Sequence, residues 1–310
     1  SAQEIPVTWL TPGANALPDQ WKLGVDVDGN VGYERLRATT NSVILEDSTG
    51  STHEYTYTNG GYKPPVNEDG TLSKNADNSY TFVDTDGRTY VFDASGKLTS
   101  LTSPTDDRQP AALKYTYAGD PSRLVKIEDG TTGARYATAY YKGINDTNNI
   151  CDKNGTNNPS GFMGLSPSFS DAPNGMLCAF TTGNGETTNL YYDGNGNLAR
   201  IVQPGGQITD YAYDTYGRIT STRDSTAADA ISAGVRANDG TVTTELSYDN
   251  LARITSVKAP AATANAARLT HTINYSPGQT DMHVTGTTEP NGYSKRVQYD
   301  SLLRTTNETD

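Results

Sequence analysis

Apolar and polar positions alternate with period two along most of this chain. Tyrosines sit at every second place at Tyr55 and Tyr57, Tyr115 and Tyr117, and Tyr211 and Tyr213. Successive side chains of a strand point to opposite faces, so this spacing puts both rings of a pair on one face. Turn signals fall between the runs: Asp28-Gly29, Asn59-Gly60, Asp86-Gly87, Asp129-Gly130, Asn184-Gly185, Asn195-Gly196 and Asn291-Gly292. Asn-Gly and Asp-Gly between alternating runs are the strongest local hairpin signals. The pattern predicts an all-β chain of antiparallel hairpins. One stretch differs: Ser225 to Ala237 reads as a short helix capped by Ser225 or Thr226 and limited by Gly234.

A tyrosine-aspartate unit recurs within this alternation. It runs from Tyr192-Asp193 to Tyr213-Asp214, and begins again through Gly217-Arg218-Ile219. Weaker copies are Phe92-Asp93 with Gly96-Lys97-Leu98, Tyr248-Asp249 with Arg253, and Tyr299-Asp300 with Arg304. The Asp ends a strand, and its carboxylate can accept the backbone N–H two residues on, which makes a turn unaided. Gly three places after the Asp (Gly87, Gly96, Gly217) supplies positive φ. A base follows at the next place: Arg88, Lys97, Arg218, Arg253 and Arg304. If exposed, its pair with the Asp contributes only about 0–1 kcal/mol, so the expectation is that Tyr carries packing while Asp and Arg set the turn. Stacked hairpins predict aromatic ladders. Where Ala252 and Leu303 replace the Gly, the turns must differ or carry strain. A unit of about 20 residues cannot bury its own apolar face, so copies must stack on neighbours.

These motifs resemble the RHS/YD-repeat family: the arrays of bacterial polymorphic toxins, of insecticidal toxin-complex shells and of teneurins. The run from Asn78 to Asp93 looks like the opening of such arrays, and Trp21 to Gly70 like its lead-in strands. The resemblance spares about 142–189 and the alanine-rich inserts near 226–238 and 260–267. It implies a continuous spiralling sheet, part of a shell around a C-terminal effector or toxin. In toxin-bearing members an Asp-Pro-x-Gly-type, glycine-rich self-cleaving core follows the repeats. This chain shows no match to it, so any autoprotease or toxin is expected beyond Asp310. Ser1-Ala2 reads as a trimmed start and the stop after a Tyr299-Asp300 copy as a fragment's end.

Four regions are expected within one continuous structure: lead-in strands at 1–75 with a loop at Pro64-Pro65, first hairpins at 76–141, an irregular excursion at 142–189, and repeats at 190–310. Cys151 and Cys178 lie 27 positions apart around that excursion. A disulfide there is expected to contribute roughly 3–4 kcal/mol and would order a long aperiodic stretch. Two free thiols or a metal pair are the alternatives, but zinc wants four ligands and no His is near. A disulfide points to an oxidising compartment, secreted or at the cell surface. The net charge of −12 and pI near 4.7 argue against nucleic acid and anionic membrane as partners. No apolar run reaches membrane-span length.

Candidate chemistry is thin. His53, His271 and His283 sit in no nucleophile motif and read as ordinary strand or surface residues; His271 and His283 fall in neighbouring expected strands. Asp26-Val27-Asp28-Gly29-Asn30 and Asp84-Thr85-Asp86-Gly87 resemble the front of a calcium loop. Position twelve is then Arg37 or Ser95 rather than Glu, so hairpin turns explain both better. No carboxylate pair is singled out for glycoside chemistry. No cofactor, metal or catalytic residue is expected. Three functions compete: a non-catalytic shell around the C-terminal part of the same polypeptide, an adhesion module binding cell-surface glycan or protein, and, remotely, a polysaccharide-active enzyme. A shell predicts an inner face lining a void, an adhesin a solvent-facing aromatic cluster, and an enzyme a cleft with two opposed carboxylates.

Overall fold

The computed structural model describes residues 16–18, 32–47, 49–103, 112–120, 122–130, 135–153, 164–165, 168–275, 284–300, 302 and 304–310. Trp21, the Asp26 to Asn30 run, His283 and Leu303 lie outside them. The described chain is nearly all strand, with one short helix, and every strand pairing is antiparallel.

Two compact units are distinguished: 1–156 with 172–189, and 157–171 with 190–310. The excursion thus divides between them, its middle falling to the second unit.

The first unit opens with a four-stranded sheet in sequence order: β1 (Tyr33–Ala38), β2 (Ser42–Asp47), β3 (Thr52–Thr58) and β4 (Gly61–Lys63). A longer meander follows: β5 (Thr71–Lys74), β6 (Tyr80–Val83), β7 (Thr89–Phe92), β8 (Leu98–Thr102), β9 (Leu113–Ala118), β10 (Arg123–Asp129), β11 (Tyr136–Tyr141), β12 (Leu177–Thr182) and β13 (Thr187–Tyr192). Each of these strands pairs with the next. The two sheets share a core in which Leu36, Val43, Leu45 and Tyr55 meet Leu72, Tyr80, Phe82, Tyr90, Phe92 and Leu98. An aromatic ladder forms here, built by rings other than the expected Tyr-x-Tyr pairs except for Tyr55. Tyr80 faces Phe92 and Phe82 faces Tyr90 across β6 and β7, and Tyr33 and Tyr55 meet Phe82 edge-on at 4.6 and 5.5 Å. Gly96 lets the sheets touch: Leu36 N–H donates to its carbonyl at 3.0 Å. A Cβ there would lie 1.7 Å from the Leu36 oxygen, and its φ is +84°.

The second unit holds the end of β13 and then β14 (Leu198–Gln203), β15 (Gln207–Tyr213), β16 (Ile219–Arg223), β17 (Thr244–Tyr248), β18 (Ile254–Lys258), β19 (Thr270–Tyr275), β20 (Val284–Thr288), β21 (Ser294–Tyr299) and β22 (Thr305–Thr309), with β14 to β22 paired in sequence order. Helix α1 (Ser225–Ser232) stands between β16 and β17, shorter than expected. Its cap is Asp224 rather than Ser225 or Thr226. The Asp224 carboxylate accepts from Ala227 N–H at 2.8 Å, and Gly234 beyond the helix has φ +69°. Asp can cap as well as Ser, and the residue one place earlier has the extended backbone that a cap requires.

Candidate functional site

Seven Asp turns among the described residues share one set of hydrogen bonds. In each, Asp Oδ1 accepts the N–H two residues on and the N–H four residues on. For Asp47, Asp84, Asp93, Asp193, Asp214, Asp249 and Asp300 all fourteen distances fall between 2.8 and 3.0 Å. The backbone closes the same turn: the Asp N–H donates to the carbonyl four residues on. Where the residue three places on is described, its N–H returns to the Asp carbonyl. That residue has positive φ: +79° at Gly87, +84° at Gly96, +82° at Gly196 and +76° at Gly217. Ala252 takes the same place at φ +61°, so the strain expected there is present.

The turn leaves a bulge behind it. Phe92, Tyr213, Tyr248 and Tyr299 each close their strand opposite the residue five places after the Asp, and the register then slips by one. The skipped residue is a threonine every time: Thr99, Thr220, Thr255 and Thr306. Thr99 and Thr220 donate their hydroxyls to the facing carbonyls of Val91 and Ala212 at 3.0 and 3.3 Å. A Thr six places after each Asp is readable in the sequence, but only once the bulge gives it meaning.

Tyrosines tie one hairpin to the next. Tyr213 donates its hydroxyl to the Leu198 carbonyl at 2.6 Å, Tyr248 to Ile219 at 2.7 Å, and Tyr117 to Leu98 at 3.0 Å. Each acceptor is the first residue of the return strand in the preceding hairpin. Burial raises the Tyr117 and Tyr248 hydroxyl pKa values, so these donors keep their protons across the physiological range. The base of each turn joins the tie. The Arg218 guanidinium lies 4.7 Å from the Tyr248 ring centre, Arg253 4.2 Å from Tyr275, and the Lys97 ammonium 5.6 Å from Tyr117. In the second unit, therefore, these rings meet guanidinium groups and carbonyls where Tyr-on-Tyr stacking was expected. A guanidinium over a tyrosine face is a favourable stack in its own right.

The Asp-Arg pair is also less exposed than the sequence implied. Arg218 Nε donates to Asp214 Oδ2 at 2.6 Å with both side chains 21% exposed. Arg218 Nη1 also reaches the Asp249 carbonyl at 3.3 Å. Partial burial opposes the Asp214 charge, but the Arg218 and Tyr216 N–H groups and the guanidinium outweigh it and lower its pKa. In the last copy Arg304 is 72% exposed, so there the cheap-pair expectation fits.

Sequence reading missed one site altogether. Arg200, Asp210 and Arg223 face one another across β14, β15 and β16 and are essentially solvent-free. Arg200 Nε donates to Asp210 Oδ1 at 2.5 Å, and Arg223 Nη2 to Asp210 Oδ2 at 2.5 Å. Arg223 Nη1 also bonds the Asn238 side chain. The Phe169 ring lies 5.0 Å from the Arg200 guanidinium. The signal was an Arg inside an apolar alternation (Leu198, Arg200, Val202) opposite an Asp in the next strand. Recognising it requires the pairing register.

Cys151 and Cys178 form the expected disulfide. His53 and His271 both pair with carboxylates: His53 with Asp47 and Glu68, His271 with Glu289. Asp84 to Gly87 forms the hairpin turn, with Ser95 in the following one and Arg37 in β1. Among the described residues no group of three or more His, Cys, Asp or Glu is placed to hold a metal.

A β-hairpin repeat array, each unit bonded to the last through Tyr and Arg, is the class this geometry defines. Residues 192–228 match the RHS Repeat family, and the chain resembles RHS/YD-repeat proteins. It is 27% identical over 139 residues to the tRNA3(Ser)-specific nuclease WapA of Bacillus spizizenii, covering 44% of this chain and 5% of the nuclease. Among solved structures it aligns with a Photorhabdus luminescens Tc holotoxin pore (87% of this chain, 16% of that one, 12% identity, TM-score 0.26). It also aligns with a TcdB2-TccC3-Cdc42 complex (87% and 19%, 12% identity, TM-score 0.21). The chain spans only a small part of each relative. No helix among the described residues is long and apolar enough to cross a membrane; β-strand spans are a separate matter.

Proposed function

We propose that this chain is a non-catalytic structural segment of a secreted or surface RHS-repeat protein, forming part of a shell around the C-terminal portion of the same polypeptide. One observation carries the reading: repeated Tyr hydroxyl and Arg ties, at Tyr117, Tyr213 and Tyr248, bind a hairpin to the one before it, as the wall of a shell requires. The motif residues Tyr192, Asp193, Tyr213, Asp214, Gly217, Arg218, Tyr248, Asp249, Arg253, Tyr299, Asp300 and Arg304 act as its structural parts. The test is to express the gene through and beyond Asp310 and digest it with protease. A downstream segment shielded beside the array, but degraded when expressed without it, is the expected result. Equal digestion in both settings would refute the shell.

The adhesion reading retains one specific support. Tyr57 is 51% exposed and meets Tyr62 edge-on at 5.1 Å, a solvent-facing aromatic pair. Binding on a glycan array that Tyr57→Ala abolishes would favour it over the shell.

A further inference from the structure

We propose that His53 is a proton-operated clasp that sets how firmly the β1–β4 sheet holds the segment leading into the β5–β7 hairpins. This is independent of the shell reading.

The geometry is a carboxylate, an imidazole and a carboxylate in line. His53 on β3 places Nε2 3.0 Å from Asp47 Oδ2 on β2, and Nδ1 2.6 Å from Glu68 Oε1 in the segment before β5. Both nitrogens can donate only when the ring is protonated; a neutral imidazole has a single N–H. The other groups around the clasp come from every packed element. Tyr33 of β1 meets the His53 ring edge-on at 5.2 Å. Tyr33 also feels Asp84 and Tyr90 from the β6–β7 hairpin, and Tyr55 of β3 faces Glu68. Burial first, then the nearby Glu68 charge, pushes the Tyr33 hydroxyl up to about 12 and raises Tyr55 further, so neither titrates near neutrality.

The two carboxylates are not equivalent. Asp47 Oδ1 holds the Thr49 N–H, the Thr49 hydroxyl and the Ser51 N–H at 2.6 to 3.0 Å. Its Oδ2 alone depends on His53. Glu68 Oε1 relies on His53, while Oε2 is buried with no hydrogen-bond partner. When the ring loses a proton it keeps a single N–H between two carboxylates and has no charge for either. Asp47 keeps its turn through Oδ1, while the hold on Glu68 weakens from an ion pair to at most a neutral hydrogen bond. The link with no other support is the one between β3 and the segment entering β5.

The direction in pH follows. Burial, the largest single influence, lowers the His53 pKa, but the bonds to Glu68 and Asp47 outweigh it and the net change is upward. A raised pKa contributes stability that is complete below the unfolded value and lost as pH rises through the folded one. Burial opposes the Asp47 charge, yet bonds from Thr49, His53 and Ser51 hold its pKa down, so its share is lost only in acid. The clasp is closed between these limits and opens on the alkaline side.

The experiment uses the full chain. His53 is followed by NMR from pH 5 to 9.5 with exposed His271 in the same spectrum, while hydrogen exchange reports protection factors for 64–70. Protection is expected to fall about tenfold as His53 deprotonates, at a midpoint above that of an ordinary histidine. In Glu68→Gln the midpoint should drop toward the ordinary value and the step in protection should vanish, with β2–β3 exchange unchanged. A His53 midpoint at or below the ordinary value overturns the proposal. So does an identical protection profile in wild type and Glu68→Gln.

Discussion

The two units build the same hairpin on opposite kinds of interior. In the first, Tyr55, Tyr80, Phe82, Tyr90 and Phe92 pack ring against ring between two sheets. In the second, the strands that carry the best copies of the motif bury Arg200, Asp210 and Arg223 beside an apolar cluster of Tyr191, Val202, Ile208 and Ala228, with Phe169 against it. The Asp turn has the same bonds in both. Register is therefore set at the hairpin tip, and what fills the face behind it is free to change from rings to ion pairs.

The sharpest way to break this comparison is at Asp210. Asp210→Ala would strand two buried guanidinium groups, and removing one partner of a buried pair costs about 3–5 kcal/mol. With two arginines sharing the carboxylate, the loss should reach the upper end, read as a shifted midpoint in urea melts. Replacing all three residues with Met, Leu and Met should instead be close to neutral, since ion pairs in cores trade evenly with apolar packing. A triple variant as damaged as Asp210→Ala would show that the charges themselves are needed.

Phe82→Ala comes next, at about 3–5 kcal/mol for a fully buried ring. A loss under about 1 kcal/mol would mean the aromatic contacts are incidental. Arg218→Ala follows, at about 1–2 kcal/mol, because it removes a partly buried ion pair together with a stack on Tyr248. Arg304→Ala, at the exposed copy, should stay below about 0.5 kcal/mol. Equal melts for these two would remove the Arg-Tyr tie from the account. The smallest change has the opposite sign. Ala252→Gly should stabilise by up to about 1 kcal/mol by relieving the +61° φ. A lower urea midpoint for Ala252→Gly would show that the site tolerates Ala without strain.

What the sequence made legible was local. Period-two tyrosines and Asp-Gly turns act within a few residues, and the strands, the turns and the Asp cap of each hairpin follow from them. The Cys151–Cys178 bridge was legible from its position around the aperiodic stretch. The Tyr213 and Tyr248 ties were not, because they join residues 15 and 29 apart. Nor was the Asp210 cluster, which exists only once three strands are in register. The low value first placed on Arg218 assumed exposure, a tertiary property that no local pattern encodes.

The Asp turn satisfies its own backbone, and that has a consequence for how the molecule can be addressed. At Asp249 and Asp300 the residue two places on contributes only its N–H, with Leu251 58% and Leu302 69% exposed; at Asp214 the corresponding Tyr216 is 82% exposed and its ring lies 5.1 Å from the Arg218 guanidinium. Along the turns of the second unit the chain thus offers exposed positions, Leu251 and Leu302, whose identity the fold leaves open. A dye, a cysteine or a short epitope placed at either would report on its own hairpin without asking the scaffold to readjust.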